Sequence, residues 1–326
     1  MNSFGRIFRL SIFGESHGPS VGILIDGCPS GMHITENDFE IDLKKRKAGN
    51  KGTTPRVEDD KPQIHSGIYQ DKTTGSPINI SFENNNTRSS DYTALKFTPR
   101  PGHSDFTALH KYKGFNDSRG GGHFSGRLTL GIVAAGVIAK KILKDISFDT
   151  KLIKAGGNKN IEEALDKAIK NHDSIGGLIE CKIEGLPIGL GEPFFDKVEA
   201  LLAHLIFAIP ATKGLEFGSG FAAANMTGSQ HNDAITNEQG QTNTNNAGGM
   251  NGGLTNGNPL TFKVAIKPTS SIQKPQKSYS LKEKQVIDFT VKGRHDACIA
   301  LRMPVIIEAA AAIVLADLFL IKKSFD

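Results

Sequence analysis

The strongest constraint on the fold is a run near the end of the chain, PVIIEAAAAIVLADLFLIKKS from Pro304, which is apolar almost all the way round a helix rather than along one stripe. Proline suits a first helical position, where its missing N–H has no partner to lose, so a helix opening at Pro304 is predicted. A second such run, GRLTLGIVAAGVIAKKILKD, follows Ser125, which stands where an N-cap hydroxyl would stand, and ends in lysines. Helices without a polar face must be covered on all sides, so other layers have to enclose them. Met303 to Ile321 is about long enough to span a bilayer, but Glu308 and Asp317 interrupt it, which favours a buried core helix.

The flanking material reads as strands and loops. Residues 8–26 hold two short β-branched or aromatic runs around a GESHG loop, predicting strand, functional loop, strand. Thr35, with Asp38 three residues on, starts a short capped helix that runs into residues 44–56, KKRKAGNKGTTPR, an exposed cationic segment or simply a solvated basic loop. VGILIDGCPSG recurs in character as CKIEGLPIGLG, placing GxPxG at Gly27–Gly31 and again at Gly185–Gly189. Duplicated α/β halves around central helices follow, as one interlocked domain because no linker composition divides the chain. The polar residues 149–175 predict a surface helix around IEEALDKAIK, and the Asn/Gly-rich residues 228–259 either a disordered segment or a long ligand-covering loop.

Composition excludes several classes. Three widely spaced cysteines, Cys28, Cys181 and Cys298, have neither CxxC nor Cys/His metal spacing, so disulfides and structural zinc are not expected. The first residues lack a secretory signal pattern, which with the cysteines points to the cytoplasm. A net charge of +5 does not demand nucleic acid, whereas 36 glycines imply a backbone that turns tightly or approaches a ligand closely.

Chemistry concentrates in residues 100–127, RPGHSDFTALHKYKGFNDSRGGGHFSGR. Gly120, Gly121 and Gly122 let backbone N–H groups approach an anion just before a helix start, and Arg119 and Arg127 flank that cradle with planar guanidinium groups. His103 in PGHSD and His17 in GESHG sit among small residues that leave an imidazole accessible for proton transfer, while His204, in ALLAHLIFA, reads as a core histidine. Arg294, His295 and Asp296 are consecutive before the last helix, so they serve different partners, and KPTSSI at 267–272 suits a phosphate-binding loop as well as an ordinary turn.

Together GESHG, residues 100–127 and GRHDACIALRMPVIIEAAAAIVLAD at 293–317 resemble, in order and spacing, the three signatures of the chorismate synthase family. AIPATKGLEFG at 208–218, GSQHND at 228–233, NNAGGMNGG at 245–253 and KPTSSI extend the resemblance over nearly the whole chain. It implies an α+β fold, a single-domain β-α-β sandwich over residues 1–326 with pseudo-repeated halves at about 1–145 and 176–326, in a homotetramer. It also implies a lyase that binds reduced FMN and removes phosphate from 5-enolpyruvylshikimate 3-phosphate by 1,4-anti elimination, without net redox change. Carried over by motif, His17 is the acid near the departing phosphate, His103 serves the reduced flavin near N1, Asp296 assists proton removal through flavin N5, and Ser16 and Ser125 support them. The resemblance puts flavin contacts at His123, Phe124, Ser125, Pro210, Ala211, Gly252, Lys267, Pro268, Thr269, Ser270, Ser271 and Arg294. It puts substrate or NADPH phosphate contacts at Arg46, Lys51, Arg100, Arg119 and Arg127, with NADPH or an external flavin reductase as the source of electrons. Departures fall at Lys51, His123, Pro210 and Ala297, where the family more often has Arg, Arg, Asn and Pro. The alternatives are a bifunctional form with its own NADPH:FMN reductase activity, an inactive relative, and a basic nucleic-acid binder using RGGGHF and KKRKAGNK.

Overall fold

The computed structural model describes residues 2–55, 58–86, 97–291, 293 and 295–325; Arg294 lies outside them. Its helices are α1 (Glu40–Arg46), α2 (Asp105–Lys111), α3 (Thr129–Ile142), α4 (Ile161–Lys170), α5 (Val198–Ala208), α6 (Gly228–His231) and α7 (Pro304–Phe325). A first antiparallel sheet has the strand order Ser3–Phe4, Arg9–Gly14, Ser20–Asp26, Ile78–Glu83, Gln63–Ser66, and a second the order Thr212–Phe217, Leu260–Ile266, Gly177–Glu184, Ser147–Ala155. Alternation directs one face of each sheet inward: Leu260, Phe262, Val264 and Ile266 are buried on one strand, Val21, Ile23 and Ile25 on another.

α3 packs on Ser20–Asp26, α7 packs on Ser147–Ala155 and Gly177–Glu184, and the two helices pack on each other, which puts them between the sheets. Every residue of α7 from Val305 to Leu318 is buried, as its apolar circumference requires. The close approach depends on Gly136, where a Cβ would stand 2.3 Å from that of Ala309. The two acids of this helix are used internally. Glu308 accepts from Lys140 at 2.8 Å, with Asp42 on the same ammonium, and Asp317 accepts the backbone N–H groups of Arg6, Ile7 and Phe8 at 2.7–2.8 Å. Asp317 thereby holds the lead-in to the strand that carries the GESHG loop.

The local signals for element starts are seen in the structure: Asp38 accepts the Thr35 N–H at 2.7 Å, Ser125 caps the turn before α3, and α7 begins at Pro304. Four readings change. Residues 147–155 form an edge strand before the helix at 161–170, because an edge strand with one covered face needs only alternate apolar positions. Within 228–259, backbone and side-chain hydrogen bonds tie the chain to itself: Asp233 accepts from Thr244 Oγ1 and from the Asn246 and Ala247 N–H groups at 2.6–2.9 Å. His204 is exposed rather than in the core, edge-on to Phe4 with centroids 5.2 Å apart. In the basic segment, Lys44 and Lys45 are exposed but Arg46 is only 3% exposed.

Candidate active site

Two glycine turns interlock at one end of the first sheet. Gly120, Gly121 and Gly122 have φ of 60°, 83° and 53°, the left-handed region that side chains disfavour. A Cβ at Gly120 would lie 2.4 Å from His17 Cδ2 and 2.9 Å from Ser16 Oγ, so the GESHG loop can rest on this turn only because the residue is glycine. Ser16 N–H donates to Gly122 O at 3.1 Å, and His123 Nδ1 lies 2.9 Å from Gly14 O. Ser125 Oγ accepts the Arg127 N–H at 3.2 Å and so aims Arg127 from the start of the helical layer.

Arg127 is held on three sides. It donates to Asp60 Oδ1 at 2.7 Å, to Glu83 O at 2.8 Å and to Asn84 Oδ1 at 2.5 Å. The other Asp60 oxygen is 3.5 Å from Arg46, which also donates to Thr129 Oγ1 at 3.0 Å and Gly126 O at 2.9 Å. Burial, with Arg302 and Arg127 nearby, pushes the Arg46 guanidinium down to about 9 despite Asp60 and Asp296, so it is a cation at neutral pH. Asp296 Oδ1 accepts the Thr54 N–H at 3.0 Å and lies 3.5 Å from Arg302, whose Nε donates to Arg46 O at 2.8 Å.

A third group joins the 100–105 loop to the 267–271 loop. Arg100 meets Asp105 in a two-pronged ion pair at 2.7 and 2.8 Å and donates to Ser271 Oγ at 3.1 Å. His103 Nδ1 is 2.7 Å from Asp105 Oδ1. Burial would push the Asp105 carboxyl up, but hydrogen bonds and charge from Arg100 and His103 prevail and hold it well below the usual carboxylate range. Lys267 Nζ and Ser270 Oγ both donate to Gly102 O, and burial, with Lys213 close by, lowers the Lys267 ammonium below its ordinary range.

These groups surround one cavity of about 580 Å³. Of the residues expected from sequence, Ser16, His103, His123, Phe124, Ser125, Pro210 and Ala211 line it, as do all of 267–271, Arg46, Arg100, Arg127 and Asp296. His17 is buried behind Gly120 rather than on the lining. Lys51 points away, paired with Asp166 of α4 at 2.6 Å, and Arg119 is half exposed in a pair with Asp117 at 2.8 Å. Gly252 sits in the hairpin Met250–Asn251/Leu254–Thr255, whose neighbours are Lys197 and Leu190, and does not line the cavity; nor does any other residue of 228–259.

The sequence reading missed Asp60, Asp105, Glu58, Arg302 and Lys213. The run Glu58-Asp59-Asp60 following the basic segment was a weak signal for the first; a lone acid such as Asp105 carries none. The lining is rich in cations, from Arg46, Arg100, Arg127, Lys213, Lys267 and Arg302, which suits a ligand with several negative charges. Another part of the wall, with Phe124, Ile209, Pro210, Met303 and Ile306, is apolar and offers a planar ring system a surface to lie on. On the same lining the buried hydroxyl oxygens of Thr212 and Thr269 have no hydrogen-bond partner, which is where a polar ligand atom would be stabilised.

Residues 8–320 match the family model described as chorismate synthase. A chorismate synthase of Chitinophaga pinensis is 61% identical over 324 residues, covering 99% of this chain and 98% of that protein. One from Dehalococcoides mccartyi is 44% identical over 351 residues, covering 98% and 96%. A crystal structure of chorismate synthase superposes with a TM-score of 0.73 at 25% identity, over 98% of this chain and 93% of the other.

Proposed function

The chain belongs to the chorismate synthase family, lyases that eliminate phosphate from 5-enolpyruvylshikimate 3-phosphate to give chorismate, and we propose that it performs this reaction in the cavity described above. What supports the assignment to this cavity is that Ser16, His103, Arg127 and Asp296, from segments far apart in the chain, all face it. The comparisons give no support to the bifunctional alternative.

The residues fit reduced FMN: cations for a phosphate, an apolar wall for a ring system, and the partnerless hydroxyls of Thr212 and Thr269 for its polar edge. When bound, reduced FMN supplies transient electron donation to an elimination that is redox-neutral overall. The chain's own residues do the rest. Arg46, Arg100 and Arg127 hold the anionic substrate, and because they are already fixed by Asp60, Asp105 and backbone carbonyls they need no reorganisation as charge develops on the departing phosphate. Ser16 Oγ faces the cavity beside Gly120, and His17, packed behind the same glycine, is the imidazole to which the family resemblance gives the proton for that phosphate. His103 holds a proton on the opposite loop. Asp296, held by the Thr54 N–H at 3.0 Å and facing Arg302 at 3.5 Å, is the carboxylate that assists proton removal.

We read the fold as the family's β-α-β sandwich in one domain with two pseudo-repeated halves, and the assembly as a homotetramer. Lys51, engaged with Asp166, is a poor NADPH anchor, which favours an external reductase as the source of reduced flavin. The three buried free thiols are consistent with a reducing cytoplasmic setting.

The test is chorismate formation and phosphate release by the purified protein, without oxygen, using chemically reduced FMN. Product is expected there and not with NADPH plus oxidised FMN; absence of product with reduced FMN overturns the assignment. Full activity after His103→Ala rejects the role given to that residue.

A further inference from the structure

We infer that Asp105 is a positioning residue for His103: its carboxylate selects which imidazole nitrogen carries the proton and ties that choice to the Arg100–Ser271 contact across the cavity. The inference rests on the function proposed above in taking His103 as a proton-handling group.

Four contacts converge on one side chain. Asp105 Oδ2 accepts from Arg100 Nε at 2.7 Å and from the Arg100 backbone N–H at 3.0 Å. Asp105 Oδ1 accepts from the second guanidinium prong at 2.8 Å and faces His103 Nδ1 at 2.7 Å. Nδ1 has two other neighbours, Arg100 NH2 at 3.1 Å and Ser104 Oγ at 3.4 Å. Arg100 NH2 can only donate, so on its own it would favour a bare Nδ1, but a bare lone pair would then confront the charged carboxylate oxygen at the shorter distance, and the carboxylate therefore favours the Nδ1–H tautomer. Nε2 is then the nitrogen that gains and loses the proton, and it is the one turned toward Gly121, where a Cβ would stand 3.5 Å from it. Around the ring are Arg100 from its own loop, Asp105 from α2, the glycine turn 120–122, and Lys267, whose ammonium is bound to Gly102 O next in sequence to His103.

The carboxylate's second effect is mechanical. With both Asp105 oxygens engaged, the remaining guanidinium nitrogen of Arg100 reaches Ser271 Oγ at 3.1 Å, so the imidazole is braced against the 267–271 loop rather than free to turn. Asparagine at this position reverses the tautomer and keeps the Nε and backbone N–H contacts of Arg100 while giving up its second prong. Arg100 can only donate, so it would claim the amide oxygen and leave the amide N–H₂ facing Nδ1, which must then accept, and the proton moves to Nε2. The shape is kept and the tautomer is reversed.

The experiment is long-range ¹H–¹⁵N NMR of histidine side chains in the flavin-free protein, at a pH where the ring is neutral, with the His103 signal assigned by its loss in His103→Gln. The Nδ1–H pattern is expected in the native protein, the Nε2–H pattern in Asp105→Asn, and the Nδ1–H pattern again in Asp105→Glu. With reduced FMN and no oxygen, Asp105→Asn should lose activity roughly 100-fold or more, with partial recovery in Asp105→Glu. An Nε2–H ring in the native protein, an unchanged tautomer in Asp105→Asn, or a reversed tautomer with full activity overturns the inference. Should Asp105→Asn fail to fold, the native and Asp105→Glu spectra decide it, an Nε2–H ring in either being fatal. An inactive native enzyme with the expected spectra would instead overturn the functional reading and leave the Asp105–His103 coupling standing.

Discussion

Arg127 and Asp60 meet at 2.7 Å in the cavity wall with only 7% and 4% of their side chains exposed. Asp60, at φ 51°, also faces Arg46, so one buried carboxylate holds two of the cations expected to bind substrate. Removing it leaves both guanidinium groups desolvated and facing each other. Asp60→Ala is therefore expected to lower unfolding free energy by about 3–5 kcal/mol, read from urea midpoints, and to weaken substrate binding because the arginines are no longer aimed. An unchanged midpoint would show that water or another acid substitutes for Asp60.

Gly120→Ala tests the interlocked turns. The left-handed backbone alone disfavours a side chain by roughly 1–2 kcal/mol, and the new methyl would overlap the His17 ring. Loss of most elimination activity is expected, with a lowered Tm. Gly228→Ala, which would meet nothing within 4 Å, is the matched control and should leave both unchanged.

Acid stability follows from Asp105. Its folded-state pKa lies below the unfolded value of about 3.9, so its contribution is complete above that value and disappears as pH falls through the folded value. The difference in urea midpoint between the native protein and Asp105→Asn should thus shrink as pH falls below roughly 4. A difference that grows on acidification would contradict the sign.

The cysteines should be silent. Burial pushes the Cys28 thiol up to about 11 and the Cys181 thiol up to about 12, and it raises Cys298 as well. Only thiolates alkylate readily, so mass spectrometry after iodoacetamide at neutral pH should find none of the three modified in the folded protein and all three modified in urea.

Much of the frame could be read from the chain alone, because its signals are local. The apolar circumference of the run from Pro304, the Ser125 cap and the Thr35–Asp38 box each specify backbone within a few residues, and each appears where expected. The glycine-rich and basic motifs likewise marked most segments that line the cavity, since a chain needs small residues wherever backbone must approach backbone.

Which cations face inward, and what holds them, was decided by tertiary structure. Arg46, Lys51 and Arg119 look alike as sequence, yet Arg46 is buried against Asp60 while Lys51 and Arg119 turn outward to Asp166 and Asp117. Arg100 depends on Ser271, 171 positions away, and Arg127 on Asp60, 67 positions away. Residue types and local spacing thus determined that this chain would build a buried helical layer and a cationic, imidazole-bearing set of loops. The pairing of each charge with its counter-charge depends on distances through space that exist only once the two sheets have closed over those helices.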